Sequence, residues 1–261
     1  MTMMYCQLRK LTNVLSTGLI FCILLSGFQA QAQQVSNIVY LYTYHNKPPF
    51  IVNKEKEVGL YYDLAEYLSE RDKERTYVTV YLPRKRLDRM IDTGYLDGAV
   101  IGVSPVWFND VNQTRFLWFG PLYEDRDEFV SLSATPFEFR GPDSLVGKIV
   151  AGVAGYYYFG INEAVNRRVL DRIDTIGERQ VLELIAKKRA DFGIVSQSVF
   201  TYLKSVGELN EAYHFSEQPH DVFLRQTFTL KTAPEIHSAL QPLLENLLQD
   251  KQWRLIAERY E

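Results

Sequence analysis

One pattern constrains this chain more than any other: short β-branched runs alternate with stretches of helical spacing, and the alternation occurs twice. Ile38–Tyr44 is a β-branched and aromatic run ended by Lys47-Pro48-Pro49. Gly59 breaks a turn, and Leu60–Glu70 then places Tyr61, Leu64 and Leu68 on one helical face. Tyr77–Leu82 alternates like a strand and stops at Pro83, and Arg84–Asp92 follows as a helix with Leu87, Met90 and Ile91 turned inward. Ala99–Val103, bounded by Gly98 and by Ser104-Pro105, is too short for a helix and suits a buried strand cut by proline. Strand, helix, strand, helix, strand is the βαβ pattern of a parallel sheet.

The pattern restarts at Val146. Ile149–Val153 and Phe192–Val195, the latter ending at Ser196, read as strands; Ile161–Leu170, Val181–Ala190 and Val199–Val206 read as helices. Ala212–Phe215 and Phe223–Leu230 are further strands, and Glu235–Tyr260 supplies two helices returning to the first half. Between the halves, Phe119-Gly-Pro-Leu-Tyr123 reads as a turn, Glu124–Glu128 as a charged, exposed connection, and His214–Asp221 as a second crossing. The prediction is therefore two α/β lobes, 33–125 with 216–261 and 126–215, joined by two crossings around a cleft that can close on a ligand. In open α/β sheets ligands sit beyond the carboxyl ends of the strands, which directs attention to Ser104, Pro105, Val106 and Trp107.

Five places carry a resemblance to a known family. They are Asp97–Tyr123, Tyr44-His-Asn-Lys-Pro-Pro-Phe50, Gly59-Leu-Tyr-Tyr-Asp-Leu-Ala65, Val146–Gly155 and Leu248–Tyr260 with Trp253 and Ile256. Their order and spacing resemble the bacterial extracellular solute-binding proteins of family 3, the periplasmic receptors of polar amino-acid ABC importers. The resemblance implies the type II periplasmic binding protein-like fold, a small-molecule ligand held between the lobes, and a permease or a sensor in the membrane as partner. It implies a monomer and no cofactor.

The N-terminus reads as an address. Arg9 and Lys10 precede the apolar run Val14–Phe28, and Ala30-Gln31-Ala32 has the small-x-small form of a cleavage site, so residues 1–32 are predicted to be a signal peptide and the product periplasmic. Cys6 and Cys22 are the chain's two cysteines, and both fall in that segment. The rest of the chain then has no thiol for a disulfide, a nucleophile or a zinc site. The net charge of −3 gives no basic face for nucleic acid. His45, His214, His220 and His237 show no metal spacing, and neither Ser104 nor Ser196 has the G-x-S-x-G context of a hydrolase.

Family members that bind amino acids fork a guanidinium onto the α-carboxylate and place an acid on the α-ammonium. Both positions are changed here. The stretch that in the family carries the arginine reads Pro105-Val-Trp-Phe-Asn109 and is about three residues longer, and Ser196 stands where the second-lobe acid should be. Arg115 is the nearest guanidinium to the first position. Arg84 falls where the family often places a stacking aromatic; it would stack on a flat ligand or pair with an anion, the plain alternative being a solvated helix start with Lys85 and Arg86. Tyr44 ends the first strand at the cleft rim, and Trp107 either stacks on ligand or covers a lobe. Of Tyr156, Tyr157 and Tyr158, Tyr156 or Tyr157 is expected to face the ligand, while Ser196 and Gln197 offer uncharged hydrogen bonds or merely cap a loop. The expected ligand-binding set is Tyr44, Arg84, Ser104, Trp107, Tyr156, Tyr157 and Ser196. The predicted function is capture of a small polar solute for an importer, with a membrane-linked sensor or an enzyme on the same fold as alternatives. An enzyme needs an acid or base aimed into the cleft, and none is evident from sequence.

Overall fold

The computed structural model describes residues 37–261. The predicted signal peptide, with both cysteines, lies outside the described residues.

The first half builds β1 (Asn37–Thr43), α1 (Leu60–Ser69), β2 (Arg75–Tyr81), α2 (Arg84–Asp92) and β3 (Gly98–Val103), in the order the periodicity predicts. β1 pairs in parallel with both β2 and β3. The second half repeats the plan with β5 (Ile149–Val153), α3 (Ile161–Asn166), β6 (Asp171–Thr175), α4 (Glu178–Ala186), β7 (Phe192–Ser196) and α5 (Gln197–Ser205), β5 lying parallel to both β6 and β7. Two long strands join the halves: β4 (Leu117–Leu132) and β9 (Asp221–Thr229) run antiparallel to each other, with the short β8 (Tyr213–Phe215) beside β4. The sheet order is β2-β1-β3-β9-β4-β7-β5-β6. β9 thus closes the first parallel set and β4 the second, each in antiparallel register.

Each half has its own apolar core. Leu41, Leu64, Leu68 and Ile101 form one with Leu240, Leu244 and Trp253 of α6 (Pro234–Leu244) and α7 (Lys251–Ala257), so the C-terminal helices do return to the first half. On the other face of that sheet Leu87, Val100, Phe108, Phe116 and Phe228 pack together. In the second half Val130, Val181, Ile185, Val195 and Leu203 fill one face and Phe129, Phe137, Ile161 and Phe192 the other. Sheets covered on both faces are buried throughout, which is why β3 and β7 read as unbroken apolar runs.

Three expectations are corrected. Phe119–Tyr123 is no turn: it lies inside β4, where the register against β9 shifts between Phe119 and Tyr123. Such a bulge leaves a residue unpaired, so Pro121 sits in a strand without costing a ladder bond. Glu124–Glu128 is no exposed linker, because Asp125 and Glu128 are each only 2% exposed. Burial is tolerated since each acid has a partner, Arg225 for Asp125 and Arg126 for Glu128. Finally, β6 is a strand that the sequence pattern does not predict. Its sequence, Asp-Arg-Ile-Asp-Thr, is polar because it is the edge of the sheet and only Thr175 is buried.

Candidate functional site

The two parallel sets present their carboxyl ends to each other. After β1 the chain delivers Tyr44, His45 and Lys47; after β2, Arg84; after β3, Ser104 and Trp107. After β5 it delivers Tyr156, after β6 Glu178, and at the end of β7 Ser196. Arg84 and Glu178 are thus topological equivalents, each at the start of the helix that follows the second strand of its set. The crossing strands add Asp125 and Asp127 from β4, and Phe223 and Arg225 from β9.

Lys47 binds across the cleft. Its Nζ lies 2.5 Å from Glu178 Oε1 and donates to Ser196 Oγ at 2.7 Å. Ser196 Oγ donates to Asp127 Oδ1 at 2.9 Å, and the Ser196 amide donates to Glu178 Oε2 at 2.9 Å. Tyr156 presents its ring to Lys47, 6.0 Å from Nζ to centroid. Burial raises the Asp127 carboxyl to about 6; the Lys47 charge opposes this, and the Glu178 and Asp125 charges add to it.

Beneath this lies a second, fully enclosed pair. Arg225 donates through Nε and Nη2 to Asp125 Oδ2 at 2.9 and 2.7 Å and through Nη1 to the Gly102 carbonyl at 3.1 Å. Ser198 completes the acid's bonding with its hydroxyl at 2.8 Å. Burial alone would raise the Asp125 pKa, but Arg225, Lys47 and Ser198 hold it below the usual carboxylate range. The guanidinium lies over the rings of Phe50, Phe223 and Trp107 at 4.3, 5.2 and 5.5 Å. Gly102 permits the approach: its φ is +72°, and a Cβ there would meet the Tyr61 hydroxyl at 1.6 Å.

The loop that lengthens the sequence after β3 is a built element. Pro105–Phe108 forms one 3-10 turn from Ser104, and Asn109 closes it in the left-handed region at φ 52°. Buried Asp110 then accepts from the amides of Thr114, Arg115 and Phe116 and from Trp118 Nε1, at 2.7 to 3.1 Å. This fixes Trp107, whose ring meets His45 at 5.6 Å and Phe223 at 4.9 Å. Arg84 bonds the Trp107 carbonyl at 2.8 Å and lies over Tyr44 at 5.0 Å. His45 is buried, and its Nδ1 has no partner among the described residues. Burial, followed by the charges of Arg225, Lys47 and Arg84, holds its pKa well below the ordinary value.

No protein-family model and no curated protein matches this sequence. Solved structures do. The GluR0 ligand-binding core in complex with L-glutamate is 18% identical, with a TM-score of 0.65 over 86% of this chain and 97% of that one. The ancestral amino-acid-binding protein AncCDT-1, a precursor of cyclohexadienyl dehydratase, is 14% identical, with a TM-score of 0.64 over 86% and 95%. The substrate-binding protein of an amino-acid ABC transporter is 16% identical, with a TM-score of 0.61 over 86% and 99%. The fold is the bilobed type II periplasmic binding protein fold. At these identities the likeness speaks for architecture, and the ligand has to be argued from the residues of this chain.

Within that binding-protein fold, six of the seven expected residues come from strand ends that face the cleft. Tyr44, Arg84, Trp107, Tyr156 and Ser196 join the group above, while Ser104 is buried and its carbonyl accepts from the Trp107 amide at 3.0 Å. Tyr157 stands apart: it is 64% exposed and bonds Glu163 at 2.5 Å. Arg115 also lies outside, exposed and paired with Asp92. Sequence reasoning missed Lys47, Asp127, Glu178, Asp125 and Arg225. Only Glu178 had a legible signal, an acid in a first helical turn just past a glycine, and it is hidden unless β6 is recognised.

Proposed function

We propose that this protein is a periplasmic receptor that captures a small polar solute between its lobes and delivers it to an ABC importer. The lobes are taken as 33–125 with 216–261 and as 126–215. The observation that carries the reading is the convergence of strand ends from both halves on one group of aromatic and hydrogen-bonding side chains. Tyr44, Trp107 and Tyr156 supply flat surfaces, and Ser196, His45 and Glu178 supply polar contacts. Such a mixture, apolar walls with a few placed polar groups, is the usual make-up of a small-molecule site.

Among the described residues no guanidinium stands in the family's clamp position. Arg225 is committed to Asp125, and Arg84 pairs with Asp88 and the Trp107 carbonyl. The proposed solute is therefore singly charged or neutral and tolerates aromatic stacking, unlike a standard α-amino acid held at both ends. A thermal-shift screen of residues 33–261 against amino acids, opines, small amines, aromatic acids and short sugars tests this. A solute that raises the melting temperature supports the reading, and a screen in which only α-amino acids do so counts against the proposed ligand class.

A specific observation favours one second reading. Asp127, raised to about 6, and Glu178 meet at Ser196, so the cleft does hold an acid near the pH of proton transfer. An enzyme on this fold would use that pair. Turnover of a bound solute, followed by chromatography and lost in Glu178→Gln, would favour it.

A further inference from the structure

We propose that Lys47 is an interlobe latch, whose ammonium closes the cleft by binding Glu178 and Ser196 of the opposite half, and that the receptor's solute enters by displacing it. Lys47 belongs to the loop after β1, whose neighbours Phe50 and Tyr44 pack into the first-half cores. Glu178 opens α4 and Ser196 ends β7, both in the second half. The side chains of Lys47 and Glu178 are 11% and 4% exposed, so the contact is largely withdrawn from water. A largely buried ion pair is far less screened than one at the surface, and breaking one partner leaves a buried charge.

The contact joins the halves beside the crossing strand β4, because Ser196 also pairs with and bonds Asp127. It also occupies Glu178, a buried acid at the start of α4, where the equivalent position in the first half holds Arg84. A solute that takes over Glu178 and Ser196 must match what it replaces. That chemistry is a compact cation with hydrogen-bond donors, such as a primary ammonium, with Tyr156 beside it as a cation-facing ring. The displacement step rests on the receptor reading; the latch itself does not.

Small-angle scattering without any solute tests the latch. Wild type, Lys47→Ala and Glu178→Gln are compared, with circular dichroism to confirm that each is folded. Wild type is expected to be compact, and both variants are expected to show a larger radius of gyration. Adding n-propylammonium chloride to Lys47→Ala is expected to restore the compact form, whereas equal sodium chloride is not. Folded variants that scatter like wild type would overturn the latch. Expansion that sodium chloride reverses as well as the amine does would overturn the ammonium chemistry. The receptor reading fails separately, if neither wild type nor Lys47→Ala binds any member of the solute panel.

Discussion

Arg225 and Asp125 show how a single pair of residues organises the junction. Both side chains are 1% exposed, and each is bonded on several sides. Two charges taken out of water gain little net stability from meeting, but removing one strands the other. Arg225→Met is therefore expected to lower unfolding free energy by about 3–5 kcal/mol in urea titration, and Arg225→Met with Asp125→Leu to recover a substantial part of it. Asp127 makes a different statement, about pH. Its folded pKa, about 6, is raised above the ordinary 3.8, so the folded state holds a proton that the unfolded chain has lost. That contribution is complete below about 3.8 and disappears as pH rises through about 6. His45 has the opposite sign: its depressed pKa favours the native state above the ordinary 6.5 and penalises it as pH falls. The total profile mixes the two, so the difference between wild type and Asp127→Asn isolates one. Wild type is expected to lose melting temperature relative to Asp127→Asn between about pH 4 and pH 6, and a constant difference would contradict the burial of this acid. None of these partnerships is legible from sequence. Glu124–Glu128 has the composition of a solvated linker, and only the register of β4 against β9, which sets Tyr123 opposite Arg225, brings Arg225 to Asp125 and accounts for the burial of that acid.

At the scale of elements the sequence was more informative, for a physical reason. Strands buried on both faces must be apolar along their whole length, so β3 and β7 are legible as apolar runs. β1 and β5 are legible from their β-branched and aromatic content, and the periodicity predicts α2 at its observed bounds. β6 stayed hidden because an edge strand has no such requirement. Phe119–Tyr123 reads as a turn because Gly120-Pro121 usually ends a strand, whereas here a register shift inside β4 absorbs both residues. The bulge in β3 between Ile101 and Val103 is the element on which the site depends most. It places Gly102 in a left-handed conformation against Tyr61 and offers its carbonyl to Arg225. Gly102→Ala is expected to destabilise the fold by about 1–3 kcal/mol, because the new Cβ meets both a disfavoured φ and an occupied position. Gly94, also at positive φ but with open space around it, is the control: Gly94→Ala carries the backbone cost without the clash.

For the whole molecule, the doubled αβ plan with two crossing strands brings six strand ends together, and the side chains gathered there are the ones on which the proposed receptor function rests. Trp107 and Tyr157 separate that site from the rest of the surface, since both are aromatic residues after a strand of a parallel set but only Trp107 packs against the Arg225 layer. The decisive measurement is isothermal titration of the best solute from the thermal-shift screen into wild type, Trp107→Ala and Tyr157→Ala. Loss of a buried aromatic contact is worth about 2 kcal/mol, which is about 30-fold in affinity. The expected result is single-site binding to wild type, about 30-fold weaker binding to Trp107→Ala, and unchanged binding to Tyr157→Ala. Equal affinity for wild type and Trp107→Ala, or loss of binding in Tyr157→Ala, would contradict a solute site between the lobes.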